Sequence, residues 1–164
     1  MADHSFDIAS KIEAQEIDNA VNQAMRDINN RYDLKNSKST IEFQRNDHKL
    51  ILTAPDDYKI KAVYDILRQK LVTRKISLKG LEAKDIEQAA GSTVKQEINI
   101  QQGIPMEKAK QIVKDIKGEK MKVQAQIQKD QVRISSKKID DLQNVIQFIK
   151  EQKYDIDIQF LNLR

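Results

Sequence analysis

The side chains in this sequence that are best suited to chemistry are lysines and glutamines. Between residues 104 and 138 there are ten basic residues and four acidic ones, a local excess of six positive charges. The basic residues are Lys108, Lys110, Lys114, Lys117, Lys120, Lys122, Lys129, Arg133, Lys137 and Lys138. Lysine and arginine bind phosphate oxygens, and amide side chains pair with the edges of bases. The segment therefore indicates an anionic partner, although lysines and glutamines are also common on solvated surfaces.

Residues typical of catalysis are few. The chain has two histidines and no cysteine, which excludes thiolate metal sites and cysteine nucleophiles. Its four glycines form neither a P-loop nor a dinucleotide-binding fingerprint. The pairs Asp56-Asp57 and Asp140-Asp141 stand at predicted helix starts, where carboxylates stabilise the helix dipole. We therefore expect a protein that is not an enzyme and has no cofactor and no metal.

The elements that must position these side chains follow from the spacing of apolar residues. Alternating apolar residues predict strands near residues 5–8, 41–43, 50–52, 76–78, 94–100, 123–127, 132–134 and 156–160. Helical spacing predicts helices near residues 13–31, 56–71, 105–118 and 137–149. Ser10 either begins the first helix through a capping box or continues the first strand. Pro105 is predicted as the first helical residue of the third helix, Gly118 as its end, and Ser136 as the cap of the fourth.

The second half of the chain repeats the element order of the first. A shift of 82 residues carries Leu50 and Leu52 onto Val132 and Ile134, and it carries the second helix onto the fourth. Each half has the order βαββαβ, which typically folds as a four-stranded antiparallel sheet with two helices on one face. The fold class is therefore α+β, with two ferredoxin-like, RNP-like sandwiches in tandem and a connector over residues 80–93.

The other face of each such sheet is open to solvent. Alternation in the second half places Gln124 and Gln126 on this open face, beside Arg133 of the next strand. RNA-binding sheets usually expose aromatic side chains there, and the second half predicts none. Phe6 could serve as a stacking platform, but its alternation with Ile8 favours a place in the core.

The composition is that of a small globular protein with an aliphatic core. Hydrophobic residues make up 39% of the chain and aromatic residues 5%. The N-terminus lacks the layout of a signal peptide, and no apolar run reaches the roughly 18 residues of a membrane span. These features, with the absence of cysteine, predict a cytoplasmic protein that does not enter a membrane.

Several strings resemble the bacterial YajQ family over nearly the whole chain. They are Ser5-Phe6-Asp7-Ile8, Arg31-Tyr32-Asp33-Leu34-Lys35, Gln102-Gly103-Ile104, Lys122-Val123-Gln124-Ala125-Gln126-Ile127-Gln128, Val132-Arg133-Ile134, Lys137-Lys138, Asp140-Asp141-Leu142-Gln143 and Phe160-Leu161-Asn162-Leu163-Arg164. The chain departs from the family's usual pattern at Lys129, at Ser135-Ser136 and at Ile139, where the family usually has glycine, a threonine–glycine pair and arginine.

The resemblance implies two RNP-like domains that exchange their first strands. The first domain would span residues 10–102, with strand 94–101 in its sheet, and the second would combine residues 1–9 with 103–164. The resemblance also implies nucleotide binding, with cyclic di-GMP, GTP or RNA as the ligand and a regulatory role.

Our hypothesis is a non-enzymatic protein that binds a nucleotide or RNA, either a cyclic dinucleotide effector or an RNA-binding regulator. The candidate binding residues are Lys110, Lys117, Lys122, Gln124, Gln126, Lys129, Arg133, Lys137, Lys138, Arg164 and Phe6. The alternative is an adaptor that binds a protein partner in a transcription-related complex.

Overall fold

A computed structural model describes residues 4–164 of the chain. These residues form four α-helices and two antiparallel sheets, which confirms the predicted α+β class and the tandem βαββαβ pattern. The strands are β1 (His4–Ala9), β2 (Thr40–Gln44), β3 (Lys49–Ala54), β4 (Leu81–Ala83), β5 (Glu87–Ala89), β6 (Thr93–Ile100), β7 (Gln124–Gln128), β8 (Gln131–Ser136) and β9 (Gln159–Leu161). The helices are α1 (Ala14–Asn30), α2 (Asp57–Thr73), α3 (Met106–Gly118) and α4 (Ile139–Glu151).

Contacts within the chain form two compact units. The first unit comprises Ile12–Gln101, and the second comprises residues 4–11 and 102–164. The domain boundaries expected from the sequence, and the exchange of first strands that the family resemblance implies, stay predictions. Residues 1–3 of the expected second domain lie outside the described residues.

The sheet of the first unit has the strand order β2-β3-β6-β4, and β5 also pairs with β6. Leu50, Leu52 and Ala54 are buried at alternate positions of β3, as a strand with one covered face requires. They pack in one core with the apolar stripes of α1 and α2. Asp56 is the N-cap of α2, and its carboxylate accepts a hydrogen bond from the Lys59 backbone N–H at 2.8 Å. The pair Asp56-Asp57 predicts a carboxylate at this helix start, and the structure has one there.

The sheet of the second unit has the order β7-β8-β1-β9, all antiparallel. Its covered face carries Phe6 and Ile8 of β1 beside Ile134 and Val132 of β8, in one core with α3 and α4. Lys129 and the next residue form the tight turn between β7 and β8, and Lys129 has φ 56°. The turn joins the two strands that the sequence predicts near residues 123–127 and 132–134.

Several predicted boundaries are wrong. The sequence predicts strands near residues 76–78 and 156–160, but β4 begins at Leu81 and β9 begins at Gln159. Ile76 and Ile156 are nevertheless buried. Their apolar spacing therefore reflects core packing of segments that form no strand. The predicted connector contains β4, β5 and two 3₁₀ turns, Leu78–Gly80 and Ala90–Ser92.

The helix starts differ in the same way. Helix α1 begins at Ala14 after an N-cap Glu13 without a capping side chain, so Ser10 forms no capping box, and β1 ends at Ala9. Pro105 is the N-cap of α3, one residue before its predicted place, while Gly118 is the last helical residue as expected. The N-cap of α4 is Lys138, not Ser136. No helix among residues 4–164 is long and apolar enough to cross a membrane.

Candidate functional site

A cleft of about 470 Å³ opens in the second unit where the start of β7, the end of β8 and the start of α4 meet. The residues that line it are Met121, Lys122, Val123, Gln124, Ser135, Ser136, Lys137, Lys138 and Asp141. Four of the predicted binding residues are among them, namely Lys122, Gln124, Lys137 and Lys138. Lys122 and Lys137, which are 15 positions apart in the sequence, come together here because the β7–β8 hairpin places the start of β7 beside the end of β8.

Ser136 holds the three sides of this cleft together. Its side chain is buried, and its hydroxyl donates to the Lys122 carbonyl oxygen at 3.0 Å. The same Oγ accepts from the Lys138 backbone N–H at 3.3 Å and lies 3.4 Å from Asp141 Oδ2. Ser136 therefore fixes the geometry of the cleft, while the lysine side chains remain available to a ligand.

The charge of the cleft is positive. Lys122, Lys137 and Lys138 are exposed, and among residues 4–164 none of them lies within ion-pair distance of a carboxylate. Asp141, which is half-buried, is the single acidic residue of the lining. Three cations around one carboxylate leave a net charge of about +2, which attracts a phosphate-bearing ligand.

A second groove of about 520 Å³ continues from the cleft along β7. It shares Met121, Val123, Gln124 and Ser135 with the cleft and adds Ile116, Lys117, Ala125 and Gln126. Two more predicted residues, Lys117 and Gln126, therefore lie beside the same strand. The side of this groove formed by Ile116, Val123 and Ala125 is apolar.

A charged network occupies the middle of the open sheet face. Asp7 of β1 lies opposite Arg133 of β8, and its carboxylate accepts from Arg133 Nε at 2.9 Å and from Asn162 Nδ2 at 2.8 Å. The hydrogen bond from Arg133 holds the pKa of Asp7 below its usual range, against the opposing effect of burial. Arg133 is thus already paired, which reduces its capacity to bind a phosphate.

The remaining predicted residues lie away from the cleft. Lys110 is exposed on α3, and Lys129 is exposed in the β7–β8 turn. Arg164 donates its backbone N–H to the Ser5 carbonyl oxygen at 3.0 Å. None of these three lines the cleft or the groove.

Phe6 lies in the core, as its alternation with Ile8 favours, and not on the open face as a stacking platform. Only 1% of it is exposed, and its ring packs edge-to-face against Phe160 with 5.9 Å between centroids. It belongs to the covered face of the sheet because it shares the side of β1 on which Ile8 lies. A base therefore has no access to its ring.

Sequence reasoning missed Ser135, Ser136 and Asp141 as cleft residues. The signal that could have found them is the string Ser135-Ser136-Lys137-Lys138, in which a strand ends directly before a lysine pair and a helix start. The sequence predicts for Asp141 only the stabilisation of the helix dipole. Its contact with Ser136 Oγ shows that it also faces the inside of the cleft.

Groups suited to metal binding or acid–base catalysis do not converge in the described part of the chain. No cluster of three histidine or carboxylate residues there could hold a metal ion. The His4 ring nitrogen Nδ1 lies 3.0 Å from the Arg164 carbonyl oxygen, and His48 occupies the turn before β3 with φ 51°. The chemistry that the site offers is binding by cations, amides and one carboxylate.

Comparison with known proteins agrees with the motifs. Residues 4–164 match the family described as Nucleotide-binding protein YajQ-like. A protein named Nucleotide-binding protein from Solibacter usitatus is 52% identical over 164 residues, covering 100% of this chain and 99% of its own length. Proteins with the same name from Desulfitobacterium hafniense and Trichlorobacter lovleyi are 52% and 53% identical over 162 and 160 residues, each covering at least 98% of both chains. This chain therefore belongs to the YajQ-like family.

Proposed function

We propose that this protein binds a guanine nucleotide in the cleft of the second unit and acts as a non-enzymatic binding protein in the cytoplasm. The observation that carries the proposal is the group of three unpaired lysines around Asp141. The relatives named nucleotide-binding proteins give the ligand class. The volume of about 470 Å³ lies within the range of about 300–1,000 Å³ that is usual for small-ligand sites.

The phosphates would lie against Lys137 and Lys138. The helix α4 begins directly after Lys138, whose side chain makes no capping hydrogen bond, and Asp140 and Asp141 lie in its first turn. Backbone N–H groups at a helix start carry partial positive charge, which adds to the two lysine charges and is opposed by these carboxylates. Lys122 approaches from the opposite wall, on the strand side of the cleft.

Asp141 and Gln124 would select the base. The Watson–Crick edge of guanine offers two adjacent N–H donors, which a carboxylate accepts together. The same edge of adenine pairs one donor with an acceptor, and that acceptor would face the carboxylate oxygen. Because Asp141 is half-buried at the inner end of the cleft, the mismatch with adenine would be costly. Both GTP and cyclic di-GMP present the guanine edge, and the second would make the protein a cyclic dinucleotide effector.

RNA is the weaker candidate ligand. The open face presents Gln124, Gln126 and the paired Arg133, with no exposed aromatic ring on the strands that the structure describes. Without such rings the face lacks the usual stacking platform for single-stranded bases. A regulatory role through RNA or in a transcription-related complex would therefore depend on surfaces outside this cleft.

The experiment is a titration with fluorescent GTP and ATP analogues. We expect the GTP analogue to bind more tightly, and the doubly substituted Lys137→Gln, Lys138→Gln variant to bind it about 10- to 30-fold more weakly, since each exposed charge contact contributes up to about 1 kcal/mol. Lys110→Gln is the matched control, because it removes a predicted lysine that lies outside the cleft. Equal affinities for the double variant and the control would refute the site.

The base preference has its own test. The variant Asp141→Asn should lose the preference for guanine over adenine, because an amide can present a donor to the acceptor of adenine. Binding of phosphate-bearing ligands should be retained, since the substitution removes a negative charge from a cationic cleft. A preference unchanged in Asp141→Asn would remove this residue from base recognition and leave the phosphate site standing.

A further inference from the structure

We propose that the free edge of β7 binds an acidic, extended peptide segment of another protein as an added strand of the second unit's sheet. The proposal does not depend on nucleotide binding, because it concerns backbone groups and the groove beside β7. It rests on the strand pairing, the shape of the groove and the charges around it.

Strand β7 is an edge strand whose outer backbone groups have no ladder partner. Gln128 and Gln131 flank a two-residue turn and form a hydrogen-bonded pair, so Gln126 and Gln124 also bond to β8. Ala125 and Ile127 then direct their N–H and C=O groups away from β8. Among residues 4–164 no other backbone or side-chain group bonds to them. An edge of this kind is a template for a further strand.

The groove of about 520 Å³ lies directly beside this edge. Ile116 is buried at its base, and Met121, Val123 and Ala125 are half-buried along it. A strand added to β7 would place alternate side chains against this apolar lining and the others beside Gln124 and Gln126. The occupant therefore needs an alternating pattern with one apolar face.

The first unit offers an internal comparison, because β2 is its corresponding edge strand. There, residues 31–39 join α1 to β2, and this loop places Leu34 in the core with 1% exposure. In the second unit the connection from α3 to β7 is the shorter 119–123, and its apolar residues Met121 and Val123 are half-exposed. The first unit also joins α1 to the end of β2 through an ion pair of Asp18 with Arg45. The groove beside β7 is thus a property of the second unit, not of the fold.

Charge identifies the occupant. Residues 117–130 contain Lys117, Lys120, Lys122 and Lys129 against Glu119 and Asp130, a local excess of two positive charges. The described residues place none of these lysines in an ion pair. A second copy of the chain pairing through β7 would bring two segments of the same positive charge together, which is unfavourable. An acidic, extended segment of a different protein would pair with the outward backbone groups of β7 and with the lysines beside it.

The probe is a fluorescein-labelled peptide with blocked ends, Glu-Val-Thr-Val-Thr-Val-Glu, measured by fluorescence anisotropy. We expect it to bind, and we expect the same peptide with lysines for glutamates to bind at least about tenfold more weakly. Lys117→Glu should remove most of this preference, because the local excess of positive charge falls by two, and it leaves the lysines of the cleft in place. Circular dichroism checks that the variant is folded.

Backbone pairing is tested on both partners. Ala125→Pro removes an N–H that faces outward, a change that edge strands tolerate, whereas Ala125→Gly keeps this N–H. We expect the proline variant to bind the peptide about tenfold more weakly than the glycine variant, since a hydrogen bond is lost and the edge is blocked. Two peptides N-methylated on alternate sets of amides should differ, one binding as the parent and the other failing.

Equal binding by the proline and glycine variants, or by the two methylated peptides, would overturn the proposal and reduce the contact to unspecific charge attraction. Should the proline variant fail to fold, the methylated peptides on the unaltered protein decide the question. Displacement of the peptide by an oligonucleotide alone, with no effect of methylation, would instead indicate a nucleic-acid surface. Nucleotide titrations on the same variants report independently on the cleft.

Discussion

Replacing Gly103 with alanine should destabilise the second unit more than any other glycine-to-alanine substitution in the chain. Gly103 precedes α3, has φ 79° and donates its N–H to the Ser10 carbonyl oxygen at 2.7 Å. A Cβ atom there would lie 2.5 Å from the Cβ of Asp130 and 2.7 Å from its Cγ. Because the position of Cβ is set by the backbone, side-chain rotation of Asp130 cannot relieve the clash.

The expected cost has two parts. A left-handed backbone costs a residue with a Cβ about 1–2 kcal/mol, and overpacking costs about 1–3 kcal/mol more. The sum is about 2–5 kcal/mol, which for a chain of this size lowers Tm by about 2–4 °C for each kcal/mol. Ile104 is affected as well, since its N–H donates to the Asp130 carbonyl oxygen at 2.9 Å.

Two other glycines allow the backbone cost and the packing cost to be measured separately. A Cβ at Gly91, with φ 70°, would meet nothing within 4 Å, so Gly91→Ala should show the backbone cost alone. Gly118 has no positive φ, and an added Cβ there would meet nothing within 4 Å, so Gly118→Ala should be close to neutral. Urea unfolding followed by circular dichroism measures each free energy, and hydrogen exchange shows which unit is affected.

Rescue is the decisive measurement. The double variant Gly103→Ala, Asp130→Gly removes the clash and keeps the backbone strain, so it should recover all but about 1–2 kcal/mol. If Gly103→Ala costs no more than Gly91→Ala, or if removing the Asp130 side chain recovers nothing, the close approach of α3 to the β7–β8 turn is not as the structure has it.

Two further predictions concern β1. Asp7→Asn should make the free energy of unfolding less dependent on pH in the acid range. The native pKa of Asp7 is lowered mainly by Arg133. The contribution of Asp7 to stability is therefore present above about pH 4 and is lost as the pH falls through the native pKa. Urea unfolding at several pH values checks this, and a variant as acid-sensitive as the parent would contradict it. Phe6→Ala should lower the unfolding free energy by about 3–5 kcal/mol, because the ring is 1% exposed. The variant should bind nucleotide normally while folded, and weaker binding by a variant that circular dichroism shows to be fully folded would make Phe6 a ligand contact.

The fold was predictable because the apolar core positions of the first half recur at the same spacing in the second half. Leu50, Leu52, Val132 and Ile134 alternate in register across an interval of 82 residues, and the structure buries all four. The boundaries were harder. Ile76 and Ile156 are buried without belonging to a ladder, because burial needs only an apolar neighbour, whereas a strand also needs a partner for its backbone groups. Pairing between distant segments leaves no trace in local spacing.

The candidate site was predictable in its lysines and not in its architecture. Local charge density identified Lys122, Lys137 and Lys138 without showing that a hairpin brings them together. It also selected Lys110 and Arg164, which lie elsewhere, and Arg133, whose guanidinium is already held by Asp7. Charge counted along the sequence cannot separate a free cation from a paired one, since pairing depends on which strands become neighbours.

The two units differ in charge at the corresponding starts of α2 and α4. The shift of 82 residues carries the lysine pair Lys137-Lys138 onto Pro55-Asp56. In the first unit the Asp56 carboxylate caps α2 by accepting from the Lys59 N–H, so the helix start is closed by its own negative charge. The corresponding N-cap of α4 is Lys138, which supplies no capping side chain and adds a positive charge. Apolar periodicity, which both halves share, determines the scaffold, whereas the N-cap position carries a negative charge in α2 and a positive charge in α4. The proposed phosphate site therefore depends on a reversal of charge at one position beside a helix start.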